Sequence, residues 1–148
     1  MKLKQLSLFL ENKPGALSAP MRVLAAEGLN ITTLSIADTQ NFGILRLILR
    51  DWEKARVLLE QNGFVVKVTD VVAIEVPDKP GGLAEVLAVL EGTGINVEYM
   101  YAFTLKKENK GVLVFRFDDP DRAVQTLQQH NINVVDHLEI FRRANGEA

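Results

Sequence analysis

Asn12-Lys13-Pro14-Gly15-Ala16-Leu17 and Asp78-Lys79-Pro80-Gly81-Gly82-Leu83 are one turn written twice, 66 residues apart. Gly28-Leu29-Asn30-Ile31 and Gly94-Ile95-Asn96-Val97 repeat at the same offset. Two separate motifs agreeing on one offset mark an internal duplication, and that changes how every other segment is read. Ahead of the turn, Leu6, Leu8 and Leu10 align with Val72, Ile74 and Val76, the every-other-residue pattern of a strand. Further on the offset becomes 68, with Gly43-Ile44-Leu45 matching Gly111-Val112-Leu113 and Phe64 matching Ile132. An insertion of two residues in the 105–110 hairpin accounts for the change.

After each Pro-Gly turn, apolar residues recur at i, i+4 and i+7: Leu17, Met21 and Leu24, then Leu83, Leu87 and Leu90. That spacing predicts an amphipathic helix in both halves. Gly28 and Gly94 suit the left-handed position that ends it. Strands are expected over about 30–38 and 95–105. Leu45, Leu47 and Leu49, matched by Leu113, Phe115 and Phe117, each form one face of a further strand. A second helix is expected over about 51–62 and 119–130, with Asp51 and either Asp118 or Asp119 as N-cap, and a last strand over about 64–69 and 132–142.

The order is β-α-β-β-α-β, twice, with connections too short for a separate linker. The expected class is α+β: two tandem ferredoxin-like units, each a four-stranded antiparallel sheet with its helices on one face. A half of about 70 residues is small for a lone domain, so it should lean on its sister or on a second chain. The sheet face opposite the leucines agrees, carrying Ile44, Arg46 and Ile48 in one half and Val112, Val114 and Arg116 in the other. Apolar residues on both faces call for a covered sheet, and we expect a homodimer.

Composition excludes several classes. AVILMFWYC make up 47% of the 148 residues and DEKR 24%, the balance of a chain that buries a core. The longest aliphatic run, Val86 to Leu90, is far short of the roughly 20 residues that span a bilayer. Polar residues break the N-terminal stretch Met1 to Ser7 where a secretory segment would be apolar, so the cytoplasm is the expected compartment. The absence of cysteine removes disulfides, thiolate nucleophiles and zinc-thiolate sites together. A formal charge of −2 provides no basic field for nucleic-acid phosphates.

The chemistry-bearing residues concentrate at the repeated motifs. Pro80-Gly81-Gly82 lies between a strand and a helix, where backbone N–H groups and the positive helix end can receive a carboxylate; it also reads as a plain turn. Asn30 and Asn96 follow the helix-ending glycines, where the amide can present a donor and an acceptor to a ligand or serve the turn alone. In both halves the turn and the Asn flank one helix.

This combination resembles the ACT domain, a regulatory module that binds small molecules, whose members carry a D/N-x-P-G-x-L turn after the first strand and a G-I/L-N-I segment before the second. The resemblance covers about Lys4 to Phe141 and implies one ACT domain over 1–70 and another over 71–148, with no enzyme domain attached. It implies amino-acid effectors held where two ACT domains meet, between the turn and helix start of one and a strand of its neighbour. Carried over, the first site uses Asn12, Gly15, Ala16, Leu17 and Asn30, and the second Asp78, Gly81, Gly82, Leu83 and Asn96. Backbone amides would hold the carboxylate, an Asn side chain or Asp78 the ammonium group, and pocket shape would select the side chain. A regulated metabolic enzyme in trans is the implied partner, and no metal or cofactor is implied. Pro20 departs from the pattern, since proline is tolerated only in a helix's first turn; the helix either starts late, near Ser18, or kinks.

Other candidates have less support. Tyr99 and Tyr101 share a strand face and suit either a pocket wall or an interface. His130 and His137, expected at a helix end and in the final strand, are spaced unlike a metal pair, and neither has a repeat-related His. Asp118, Asp119 and Asp121 fit capping and helix-dipole roles. Lys110 to Phe117 superficially matches an RNA-recognition signature, but Val112 and Val114 stand where stacking aromatics belong. Acylphosphatase shares a related fold but would need an Arg-bearing phosphate loop where Asn12-Lys13-Pro14-Gly15 stands. The remaining rival is a structural interaction module without ligand.

Overall fold

A computed structural model describes residues 1–107 and 109–146, with 104–107 described by their backbone. The chain divides into two compact units: Lys4–Thr69, and Asp70–Ala148 together with Met1–Leu3. Lys2 holds its place in the second unit through Asp121 at 3.0 Å and Asp70 at 3.9 Å.

In the first unit the order is β1 (Leu3–Glu11), α1 (Ser18–Ala26), β2 (Thr33–Thr39), β3 (Phe42–Ile48), α2 (Trp52–Gln61) and the start of β4 (Val66–Pro77). The strand order is β2-β3-β1-β4. β3 runs antiparallel to both its neighbours, with Leu8 opposite Leu45 and Ile36 opposite Leu45 on the other side. The alternating leucines of β1 and β3 form one core with Leu24 of α1 and Leu59 of α2. The even residues of β1 and the odd residues of β3 are thus the helix-covered face, as the period of two requires.

The second unit continues β4 and adds α3 (Gly82–Leu90), β5 (Val97–Lys107), β6 (Lys110–Phe117), α4 (Pro120–Gln129), β7 (Val134–Val135) and α5 (His137–Ala144). β4 pairs antiparallel with β6 on one side and β7 on the other, and β5 flanks β6. Its core joins Val72, Ile74 and Val76 to Val86, Leu90, Phe115, Phe117 and Leu127. The rings of Phe115 and Phe117 stack at 5.5 Å. Between the pairs Ala102↔Leu113 and Lys106↔Gly111, β5 carries two residues more than β6. The extra pair therefore lies at the start of the 105–110 region and just before it, within β5; residue 108 lies outside the described residues.

Two expectations about ends are corrected. The strand read over 132–142 is only Val134–Val135, after which the chain turns into α5, so His137 opens a helix and is not in a strand. Asp136 caps that helix by accepting from Glu139 N at 2.9 Å, the start of an Asp-x-x-Glu capping pattern that was legible in the sequence. Gly94, read as the residue ending α3, lies two residues beyond the position after the C-cap, which is held by Gly92 at φ 76°. Among the N-caps, Asp119 accepts from Arg122 N at 3.1 Å, Asp51 occupies the position without a side-chain bond, and Asp118 instead accepts from Asn96 N.

α5 is tied to the outer face of the second sheet through one ion pair. Ala73, Val112 and Val114 point away from α3 and α4 yet are buried, as are Ile140 and Phe141 on α5. Glu75 shares that outer face, and Arg143 of α5 donates to it at 2.7 Å and also to Glu139. Burial pushes the Glu75 carboxyl up, but hydrogen bonds from Asn133 and Arg143 and the charges of Arg143 and Lys110 outweigh it, leaving the group below its ordinary 4.5. Burial likewise opposes the Arg143 charge, and the two carboxylates more than restore it. None of the described helices is long and apolar enough to cross a membrane.

Candidate functional site

The two Pro-Gly turns share a backbone. Gly15 and Gly81 have φ of 85° and 83°, a left-handed conformation that a side chain resists, and no atom lies within 4 Å of where their Cβ would be. Each turn is closed by the next residue, Ala16 N donating to Lys13 O at 3.2 Å and Gly82 N to Lys79 O at 3.0 Å.

Beyond that point the copies diverge. α3 begins at Gly82, whereas α1 begins at Ser18, two residues later than the repeat would place it. Pro20 has no N–H to donate into a helix begun at Ala16, so the helix accepts it only once it lies in the first turn. Late initiation, and not a kink, resolves the position. Leu17 consequently sits outside the helix, 39% exposed.

Gly82 has a structural task. A Cβ there would sit 2.0 Å from Pro77 O, so the end of β4 and the start of α3 approach closely because this residue has no side chain. The space beside Gly81 is thus open, whereas that beside Gly82 is filled by the Pro77 backbone.

Asp78, Lys79 and Leu83 line a cavity of about 230 Å³ with Val76 of β4 and Gly111 and Leu113 of β6. Gly81 and Gly82 adjoin it through the turn without lining it. Asn96 is elsewhere: it follows the far end of α3, a nine-residue helix about 13 Å long at 1.5 Å per residue. There its backbone N donates to Asp118 Oδ1 at 2.9 Å and its carbonyl accepts from Asp118 N. Within one unit the turn and the Asn are separated by the helix. The first unit repeats this, with Asn30 beyond α1 and with the Asn12 amide donating to Gln40 O at 3.2 Å across the β2–β3 turn.

Tyr99 and Tyr101 pair with Arg116 and Val114 on the outer face of the second sheet, opposite the face that carries Leu113 of the turn cavity. His130 Nδ1 lies 2.9 Å from Thr126 O at the end of α4. Asp118, Asp119 and Asp121 are engaged with Asn96, Arg122 and Lys2. The Glu75–Arg143 pair escaped sequence reading because its partners are 68 residues apart, and the Phe9 counterpart of Glu75 gives no hint of it.

The chain is 40% identical to protein BT0572 from Bacteroides thetaiotaomicron, whose crystal structure superposes with a TM-score of 0.88 over 96% of this chain and 97% of that one. The fold is shared with the ligand-free regulatory subunit of aspartate kinase from Thermus thermophilus, at 15% identity and a TM-score of 0.64 over 87% and 93% of the two chains. A 90-residue stretch, 60% of the chain, is 27% identical to the acetolactate synthase small subunit of Buchnera aphidicola subsp. Baizongia pistaciae and spans 57% of that protein's length. The sequence pattern of the ACT domain pair matches residues 1–143. With the duplicated turn, the twice-repeated strand and helix order and the positive-φ glycines ahead of α1 and α3, that match places the chain in the ACT domain pair family.

Proposed function

We propose that this is a non-catalytic regulatory protein that binds a free amino acid, or a similar small carboxylate, where ACT units meet and passes its occupancy to a metabolic enzyme or transporter. The observation that supports it most is the shared geometry of the two turns, with open positive-φ glycines ahead of a helix start in both units. The relatives fit, being named as a regulatory subunit and a small subunit of enzymes. The ligand carboxylate lies at the turn amides, and the asparagine needed on its other side, Asn30 or Asn96, comes from a neighbouring ACT unit, since within one unit the helix keeps it away. A homodimer in the cytoplasm provides such neighbours, and light scattering should report about twice 16.5 kDa.

The second unit should bind more tightly. Asp78 places a charged carboxylate at its cavity, where the first unit has the neutral Asn12. A thermal-shift screen of the twenty amino acids identifies the ligand through stabilisation of the folded state. In calorimetry, Asp78→Ala should then weaken binding about tenfold or more, the range for a charge-assisted contact, and Asn12→Ala less. Equal losses would remove the asymmetry. A structural module without ligand has its own support in the Gly82–Pro77 contact and the Asn12 bond, both of which serve the fold; no thermal shift with any amino acid would favour it.

A further inference from the structure

A second cavity in the second unit, about 300 Å³, lies on the other side of β4 from the turn cavity's β6 wall, between α3 and the segment 130–133. It exists because β7 is only two residues long: beyond the pair Ile74↔Val134, the chain stays beside β4 through the bond from Glu75 N to Asn133 O. Its apolar lining includes Val86 and Val89 of α3 and Ile132. Three charged groups line it as well: Glu75, whose charge Arg143 balances, and the pair of opposite sign Lys110 and Glu85.

The duplication acts as an internal control. At the positions matching Glu75, Glu85, Lys110 and Asn133, the first unit has Phe9, Ala19, Phe42 and Val65. The same fold therefore forms without polar groups at these places, and Phe64 replaces the smaller Ile132. The convergence of charge on this cavity is a property of the second copy and is not required by the fold.

We propose that this cavity binds a free amino acid in its zwitterionic form, at a site separate from the Pro-Gly turn. Lys110 receives the carboxylate, Glu85 receives the ammonium group, and the side chain lies on Val86, Val89 and Ile132. The inference rests on the amino-acid-binding reading above. With Glu75 matched by Arg143, a ligand of one net charge would leave Lys110 or Glu85 unmatched, and an apolar one would desolvate both without return. Both charged groups are available at low cost, because their ion-pair partners among the described residues are loose: Lys110 Nζ is 3.6 Å from Glu75, Lys79 Nζ is 3.7 Å from Glu85, and both lining side chains are more than half exposed. Glu75 keeps its bond from Arg143 when Lys110 turns to a ligand.

The probes are the twenty amino acids, added one at a time to the full chain, with methyl NMR as the local readout. A stabilising amino acid should shift the methyl signals of Val86, Val89 and Ile132. Lys110→Met and Glu85→Gln, which change exposed groups, should each weaken that event about tenfold or more. Val89→Trp should fill the cavity and abolish it, and if that variant unfolds the other two still decide. An amino acid that shifts only Leu83 beside the turn overturns this site and leaves the proposed function standing. Absence of binding by all twenty overturns both.

Discussion

Arg143→Met is expected to destabilise the second unit by about 3 kcal/mol, the lower end of the range for stripping one partner from a buried ion pair. Only 11% of the Arg143 side chain and 9% of Glu75 are exposed, so the carboxylate left behind could not be hydrated freely. Lys110 and Asn133 still attend Glu75, which is why the lower end applies. Denaturant unfolding measures the loss; a change below about 1 kcal/mol would put the pair among ordinary surface contacts. Glu75→Leu combined with Arg143→Met should recover most of it, because no uncompensated charge remains, and the first unit already carries Phe9 at the Glu75 position. Acid titration gives a second check. The folded-state carboxyl lies below its ordinary 4.5, so its contribution is fully present above that pH and is lost as pH falls through the lower folded value. Below about pH 4.5 the wild type should therefore lose stability more steeply than the double variant.

Gly82→Ala should cost about 3 kcal/mol, at the upper end of the overpacking range, because the new methyl group meets a backbone oxygen and not a movable side chain. Gly81→Ala provides the comparison. Its Cβ enters open space, so only the left-handed backbone resists it, at about 1–2 kcal/mol. Thermal or denaturant unfolding of the two variants should rank Gly82→Ala as the more damaged; the reverse order would mean that the helix start yields easily. Ala16 shows how an alanine is accommodated in the first unit: there the helix starts two residues later. Hydrogen exchange in the first turn of α3 would show whether Gly82→Ala shifts that start in the same way.

What repeats and what alternates was already legible in the order of residues. Period-two leucines in β1 and β3 and their counterparts in β4 and β6 specify which face is core, since a slip of one residue would turn every side chain to the wrong side. Pro20 limited where α1 could begin, through a missing N–H that acts locally. The Pro-Gly motif indicated a turn, and the matched offsets indicated two copies of one frame. Tertiary structure decided the rest. The end of the chain is a helix because Asp136 caps it and because the buried Ile140 and Phe141, with Arg143 on Glu75, reward that form over a longer strand. Gly82 is needed for a carbonyl five residues upstream, a contact that appears only once the strand and the helix are set side by side. Asn96 lies apart from the turn it accompanies in the motif because a helix of fixed rise separates them. Local signals survive in one dimension because bonds and periodicities act over a few residues; sites do not, because they depend on which distant side chains the folded chain brings within a few ångströms.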